Sequence, residues 1–324
     1  MTWLRRIALA AGLMLAVIVL NFLLIRLAPG DPVETVAGAT GGMSEALRAS
    51  LTHAWGLDLP LSSQLWIYLS KVLQGDLGYS YFFNTPVLGL ILNRIGPTLL
   101  LITSSIVFSL VVGIGLGVKA SNKPNGLFSQ FIMVLSVVGY AAPVFWTGIL
   151  LVILFASVWP VFPVSGMVDI ATSLDASVFK RVLDILHHLF LPMLTLSIIY
   201  IAQYSQMTRT SMINTLGADF IRTAKAKGVS ERGVFYGHAL QNAILPVVTI
   251  VGLQFGNVLA GAVLVESVFD WPGMGRLAFE SVLRRDYPVI LGILLFSSAM
   301  VIIANLLTDM VYRYVDPRIR RADE

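Results

Sequence analysis

Gln254 and Asn257 stand three residues apart inside a long apolar run. An amide at that depth must meet water, a solute or another helix. At about 100° per residue they share a helix face with Gly261, roughly opposite the small residues Gly252, Gly256 and Ala260, which permit close helix packing. The polar face can line a path through the membrane or bond to a neighbouring helix, and the sequence leaves both open. Asn305 and Asp309 are a second polar pair; Arg313, four residues on, favours a structural partnership for Asp309. GIGLGVKAS at 113–121 looks like a phosphate loop but fails the G-x-x-x-x-G-K-[ST] spacing, because Ala120 follows Lys119. Its glycines are expected to end a membrane helix. His187 and His188 are adjacent and point to different faces, His53 and His238 lie far away, and cysteine is absent, so no metal site is expected. H-E-x-x-H and G-x-S-x-G are also missing. What remains is a polar, basic stretch, DFIRTAKAKGVSERGVFYGHALQNAILP, carrying Arg222, Lys225, Lys227, Arg232 and His238. A short basic helix at a membrane face suits docking of another protein.

The elements that must position these residues follow from composition. Of 324 residues, 56% are hydrophobic and 12% charged, with a net charge of +4. Soluble domains carry about 25% charged residues, so this chain belongs in a bilayer. Its modest positive charge reads as a topology signal, and no nucleic-acid partner is expected. A spanning helix needs about 20 apolar residues. Six segments qualify, at about 7–27, 97–119, 129–157, 189–209, 243–265 and 287–312. An all-α membrane protein with six transmembrane helices is expected, in contact with lipid. Arg5 and Arg6 before the first segment resemble a signal peptide, but the run is long and lacks an A-x-A site, so an uncleaved helix is expected. Pro143, in GYAAPVFWTG, is expected to kink the third helix as a gating hinge or as static shape.

Placing the N-terminus inside puts Arg5, Arg6, Lys119, Lys123, Arg209, Arg222, Lys225, Lys227, Arg232, Arg313, Arg318, Arg320 and Arg321 on the inner side. Both termini and the 210–242 loop are then cytoplasmic. Residues 28–96, 158–188 and 266–286 lie outside. The first of these carries an amphipathic helix near 61–74, with turns at GDLG (75–78) and Pro86.

The 219–246 stretch resembles the coupling loop of ATP-binding-cassette importer permeases, in which an E-A-A start is followed by Gly at the seventh position and later by I-x-L-P. Arg222, Thr223 and Ala224 occupy the E-A-A positions, Gly228 is the seventh residue, and Ala243, Ile244, Leu245 and Pro246 close the stretch. Arg222, Thr223 and Ala243 depart from that pattern, and the Gly-to-Pro spacing is longer than in sugar importers. The altered start and the spacing both look like the dipeptide, oligopeptide and nickel branch, where D-[YF]-[VI]-R-T-A-[RK]-A-K-G is usual. Further segments match that branch in order: APGDP (28–32), GLDLPLSSQ (56–64), GDLGYS (75–80), PTLLL (97–101), APVFW (142–146), VESVFDWPGMGRL (265–277), RRDYPVI (284–290) and DPRIR (316–320).

The resemblance implies a type I importer permease fold in a bacterial cytoplasmic (inner) membrane. An N-terminal helix with an extracytoplasmic segment takes 1–96, the transmembrane core 97–313 and a cytoplasmic tail 314–324. It implies no catalysis in this chain. Two ATPase subunits would hold ATP and Mg²⁺, a second homologous permease subunit would complete the pathway, and a substrate-binding protein would deliver cargo, di- or oligopeptides foremost. Asp219, Arg222, Thr223, Ala224, Lys225, Ala226, Lys227 and Gly228 would form the coupling helix, with Gly228 allowing the turn after it. Gln254 and Asn257 are the expected path residues. Asp270, Trp271, Pro272, Gly273 and Arg276, with Trp271 an exposed aromatic, would touch the binding protein or cover the pore mouth. A secondary transporter driven by an ion gradient is the alternative. It would call for mid-helix carboxylates and an inverted repeat, neither of which stands out.

Overall fold

The computed structural model describes residues 3–27, 44–54, 58–169 and 177–315. The expected features at 28–32 and 316–320, and the side chains of Asp309 and Arg313, lie outside the described residues. In chain order the elements are α1 Trp3–Leu27, α2 Glu45–Ala54, α3 Leu61–Leu73, the strands β1 Tyr79–Ser80 and β2 Thr85–Pro86, and α4 Val87–Asn122. Then come α5 Leu127–Ala141, α6 Val144–Val152, α7 Val178–Leu216, α8 Asp219–Ala226, α9 Leu240–Ala243, α10 Leu245–Leu253, α11 Phe255–Val268, α12 Met274–Arg284 and α13 Tyr287–Val315. Wider π-helical turns at Ile153–Val158 and Gly233–Ala239 extend α6 and lead into α9. Among the described residues five helical spans are long and apolar enough to cross a membrane, and up to six if the bent pair of α5 and the helix after it counts as one span.

Several spans differ from expectation, each for a local reason. The second begins at Val87 instead of 97, because Pro97 sits inside a continuing helix. The fourth runs from Val178 to Leu216, so 178–188 is helix and not loop; the Ser177 hydroxyl caps its start by accepting from the Lys180 N–H. The third is broken: α5 and the helix after it meet at 104°. Ala142 precedes Pro143 and is driven to extended backbone, which ends α5, while Pro143 starts α6. The 210–242 segment is largely helical. The expected fifth span starts early, at Gly233, and divides at Gln254 into α10 and α11. Pro246, lacking an N–H, sits in the first turn of α10.

The chain forms two compact units. One takes Met1–Pro97 and Gly273–Leu306. In it, buried Asn21 of α1 donates to the Leu291 carbonyl of α13 at 3.2 Å, and Phe22 lies 6.1 Å from the Tyr68 ring of α3. Gly292 brings α13 against α4, since a Cβ there would stand 2.7 Å from Val87 Cγ1. The β1–β2 hairpin is anchored by the Ser80 hydroxyl donating to Asp286, and Arg284 stacks over the Phe82 ring at 3.7 Å. α12 ends in a Schellman turn: Asp286 N–H to Ser281 O at 2.9 Å, and Arg285 N–H to Val282 O at 3.2 Å. The left-handed position of that turn, φ +56°, is held by Arg285 where glycine is the strain-free residue.

The other unit takes Thr98–Pro272 and Leu307–Glu324. α7 is its axis, and α5, α6, α10 and α11 all pack on it. Its core includes Leu101, Ile102, Leu191, Leu196, Tyr200, Tyr204, Val258, Val265, Phe269 and Trp271. Lipid is as apolar as these side chains, so helices associate through close packing and polar contacts. Gly113 and Gly117 of α4 supply the close packing. Instead of ending the helix, they let its backbone lie against α7: a Cβ on Gly117 would stand 2.5 Å from Ser205 O and 2.6 Å from Thr208 Cβ. Polar contacts are Ser136 Oγ to Ser205 Oγ at 3.1 Å, and Arg209, whose Nε donates to Ser129 Oγ at 2.6 Å and Nη2 to Pro124 O at 2.9 Å. Glu266 is fully buried and accepts from Thr98 Oγ1 at 2.7 Å.

Candidate functional site

The basic stretch folds into a small structure of its own. α8 has eight residues, with Asp219 in its first turn and Lys225 in its last, the charge order that suits the helix dipole. Ile221 and Ala224, three apart, face inward and pack with Met212, Val234, Ala239 and Ala243. Asp219, Arg222, Thr223, Lys225, Ala226 and Lys227 are exposed. Arg222 lies 3.5 Å from Asp219, and both side chains remain largely in solvent, so that pair adds little stability. After α8 the backbone reverses at Gly228, φ +79°. Gly228 N–H bonds Lys225 O at 3.0 Å and Val229 N–H bonds Ala224 O at 3.2 Å, a complete Schellman turn. Val229 packs against the same apolar cluster as Ala224. The result is a short helix fixed at its inner face and its C-terminal end, with a basic outer face.

Gln254, at the break between α10 and α11, is buried. Its Nε2 donates to Gln203 Oε1 at 2.6 Å, and the Tyr204 hydroxyl donates to its Oε1 at 3.1 Å. Both partners lie on α7, so Gln254 makes the interhelical bonds that were one of its two readings. Asn257 is exposed. The packing face of α11 is Val258, Ala262 and Val265, and not Gly256 with Ala260, because the break at 254 resets the helical register. Gly252's surroundings lie outside the described residues. Gln203 and Tyr204 went unnoticed in the sequence; the spacing Gln203, Gln206, Thr210 was the signal that could have found them.

The 270–276 segment departs most from expectation. Trp271 is fully buried, and its N–H bonds Glu266 O at 2.9 Å. Gly273 is buried too, and Pro272 is half-buried. Tryptophan is too large and apolar to leave in water when Phe269 and the α6–α7 core can cover it. Asp270 is exposed in left-handed backbone, φ +53°, and Arg276 pairs with Glu280 at 2.9 Å. Among the described residues no group of three or more His, Asp or Glu is placed to hold a metal.

Residues 109–321 match the family model described as "Binding-protein-dependent transport system inner membrane component". The chain belongs to this family. Residues 2–103 match the companion N-terminal model, "Binding-prot-dependent transport system membrane comp, N-term". The permease is 40% identical over 332 residues to the dipeptide transport system permease protein DppB of Escherichia coli (strain K12), covering 98% of each chain. It is 36% identical over 316 residues to the oligopeptide transport system permease protein AppB of Bacillus subtilis (strain 168), covering 97% of this chain and 98% of that one. Its fold resembles a chain of the MetNI methionine ABC transporter in an inward-facing structure, with a TM-score of 0.55 at 13% identity, over 70% of this permease and 96% of that chain. The permease is thus a multi-pass inner-membrane subunit of type I fold, itself non-catalytic, working with ATPase and substrate-binding components. The ion-gradient alternative is not favoured.

Proposed function

We propose that this permease forms one half of the pathway of an ATP-driven importer for di- and oligopeptides, with a second homologous permease subunit forming the other half. Two ATPase subunits, which hold ATP and Mg²⁺, dock on coupling helices, one of them α8. Both termini and α8 are cytoplasmic, and the α3, hairpin and α12 regions face the binding protein, through Asp270 and Arg276 among others. The observation that carries this reading is α8 itself: an outward basic face on a helix that its apolar face and Schellman turn hold rigid. A rigid surface element transmits a partner's motion only if its contacts differ between the two states, and ATP-dependent closure of the partner supplies that difference. Relatives of similar length named for dipeptide and oligopeptide transport support the cargo class. Asn257, which is exposed, marks the path, and buried Gln254 supports it through its bond to Gln203.

The test is reconstitution of the assembled importer in proteoliposomes. Dipeptide uptake should require ATP and binding protein and survive collapse of the membrane potential. Reversing the α8 face (Arg222→Glu, Lys225→Glu, Lys227→Glu) should strip the ATPases from the purified complex. Undiminished ATPase recovery and uptake in that variant would remove α8 as the docking element.

A further inference from the structure

Beyond Gln254, the C-terminal part of α7, from within the apolar stretch 189–209 to the turn that follows it, carries a polar line that the coupling and packing arguments do not use. Gln203, Gln206, Thr210 and Asn214 fall within about 80° of one another on a helix of 100° per residue. Gln203 is half-buried and the other three are exposed. The opposite side of the same turns, Tyr204, Ser205, Thr208 and Met212, is almost completely buried. No other residue between 203 and 214 falls in that sector; the half-buried Met207 and Ile213 lie just outside its two edges. Polar side chains within membrane spans rarely face lipid; they face protein or a water-filled cavity. The close approach of α4 to α7 uses glycine, at Gly113 and Gly117, and this line has no glycine.

We propose that Gln203, Gln206, Thr210 and Asn214 line the inner half of the translocation path and hydrogen-bond the backbone amides of passing peptides without regard to side-chain charge. This rests on the peptide-import reading above. The line is uncharged. Arg209, the only Lys or Arg between 182 and 216, is bound to Ser129 Oγ and Pro124 O. A carboxamide both donates and accepts, which matches a peptide group and discriminates little between cationic, anionic and neutral side chains. Gln254 acts as a positioning residue, since its Nε2 fixes the Gln203 carbonyl at 2.6 Å. Selection among peptides is thereby left to the delivering protein, and the path supplies a general amide surface.

The absence of cysteine from this chain makes the test direct. In inverted vesicles holding the assembled importer, Gln206→Cys, Thr210→Cys and Asn214→Cys are treated with a charged, impermeant thiol reagent, a trimethylammonium methanethiosulfonate. Val111→Cys, on an exposed apolar position of α4, is the lipid-facing comparison. Gln206→Cys is decisive because it lies within the apolar stretch 189–209. It should react much faster than Val111→Cys, and alanyl-alanine with ATP and binding protein should slow the reaction. Gln203→Leu/Gln206→Leu should lower uptake of alanyl-alanine, lysyl-alanine and glutamyl-alanine by a similar factor, about two- to tenfold for each hydrogen bond lost. Reactivity at 206 no greater than at 111 overturns the proposal. So does unchanged uptake by the double variant, or loss confined to one charge class. Reactivity that appears only after the second permease is removed assigns the line to that subunit and also overturns it. If wild type imports none of the three dipeptides while 206 reacts, the peptide reading and the cargo role fall together, and the water-lined path is upheld.

Discussion

Gly117 and Gly115 sit two residues apart in α4 and should respond oppositely to alanine. At Gly115 an added Cβ meets nothing within 4 Å. At Gly117 it meets Ser205 O at 2.5 Å, Thr208 Cβ at 2.6 Å and Arg209 N at 3.0 Å. Carbon contacts settle near 3.5–4.0 Å, so the helices must separate locally by about 1 Å. Two of the three neighbours are α7 backbone, which cannot rotate aside. Gly→Ala raises helix propensity by about 1 kcal/mol at either position, so that gain cancels between the variants. What remains is overpacking at 117 alone, about 1–3 kcal/mol. Separation there also moves Arg209 away from Ser129 and Pro124. The assay is the apparent unfolding midpoint of the purified importer in one detergent. Gly115→Ala should match or exceed wild type, and Gly117→Ala should fall below it with weaker coupling of ATP hydrolysis to uptake. Equal midpoints for the two variants would refute the close approach of α4 to α7.

Gly228→Ala meets no side chain or backbone, so its cost is the left-handed conformation alone, about 1–2 kcal/mol; ATPase recovery on the complex should drop while membrane insertion is unchanged. Trp271→Ala empties a fully buried site and should destabilise by about 3–5 kcal/mol, seen as lost expression or a lower midpoint; a neutral result would restore Trp271 as a surface contact. Burial raises the Asp286 carboxyl above its ordinary value of 3.8, against the lowering by Ser80 and the Val289 backbone. The unfolded chain therefore ionises first. Asp286's contribution is complete below pH 3.8 and is lost as pH rises through the raised folded value. Asp286→Asn should flatten that part of the stability profile, and an unchanged slope would discount the burial.

The apolar spans and their order were legible because each is a long apolar run, which nothing but a membrane helix explains in so apolar a chain. α8 and its turn were legible from a charge pattern ending in Gly228. Helix ends were not. Val178–Val182 and Gly233–Ala239 are no more apolar than a loop, and they are helical because capping and packing decide there. Pro143 announced a perturbation, but its angle depends on what α5 and α6 pack against. Trp271 misled because aromatic residues among turn formers read as surface, and only the core built by α6 and α7 reveals that a pocket awaits it. Gln254 was found as polar and deep, while its partners needed the pairing of α7 with the α10–α11 break.

Arg285 also bears on how this protein could be handled. The Schellman turn after α8 uses glycine and that after α12 uses arginine at φ +56°, so the second is built at a standing cost of about 1 kcal/mol. A fold that tolerates this is not at its stability optimum, which is the usual condition of selected proteins. Arg285→Gly is therefore a place to gain thermal headroom for purification without touching a buried side chain. The gain would come with loss of an exposed guanidinium beside Arg284, so a hardier protein with poorer uptake would show that selection has kept the strained turn for the charge it presents.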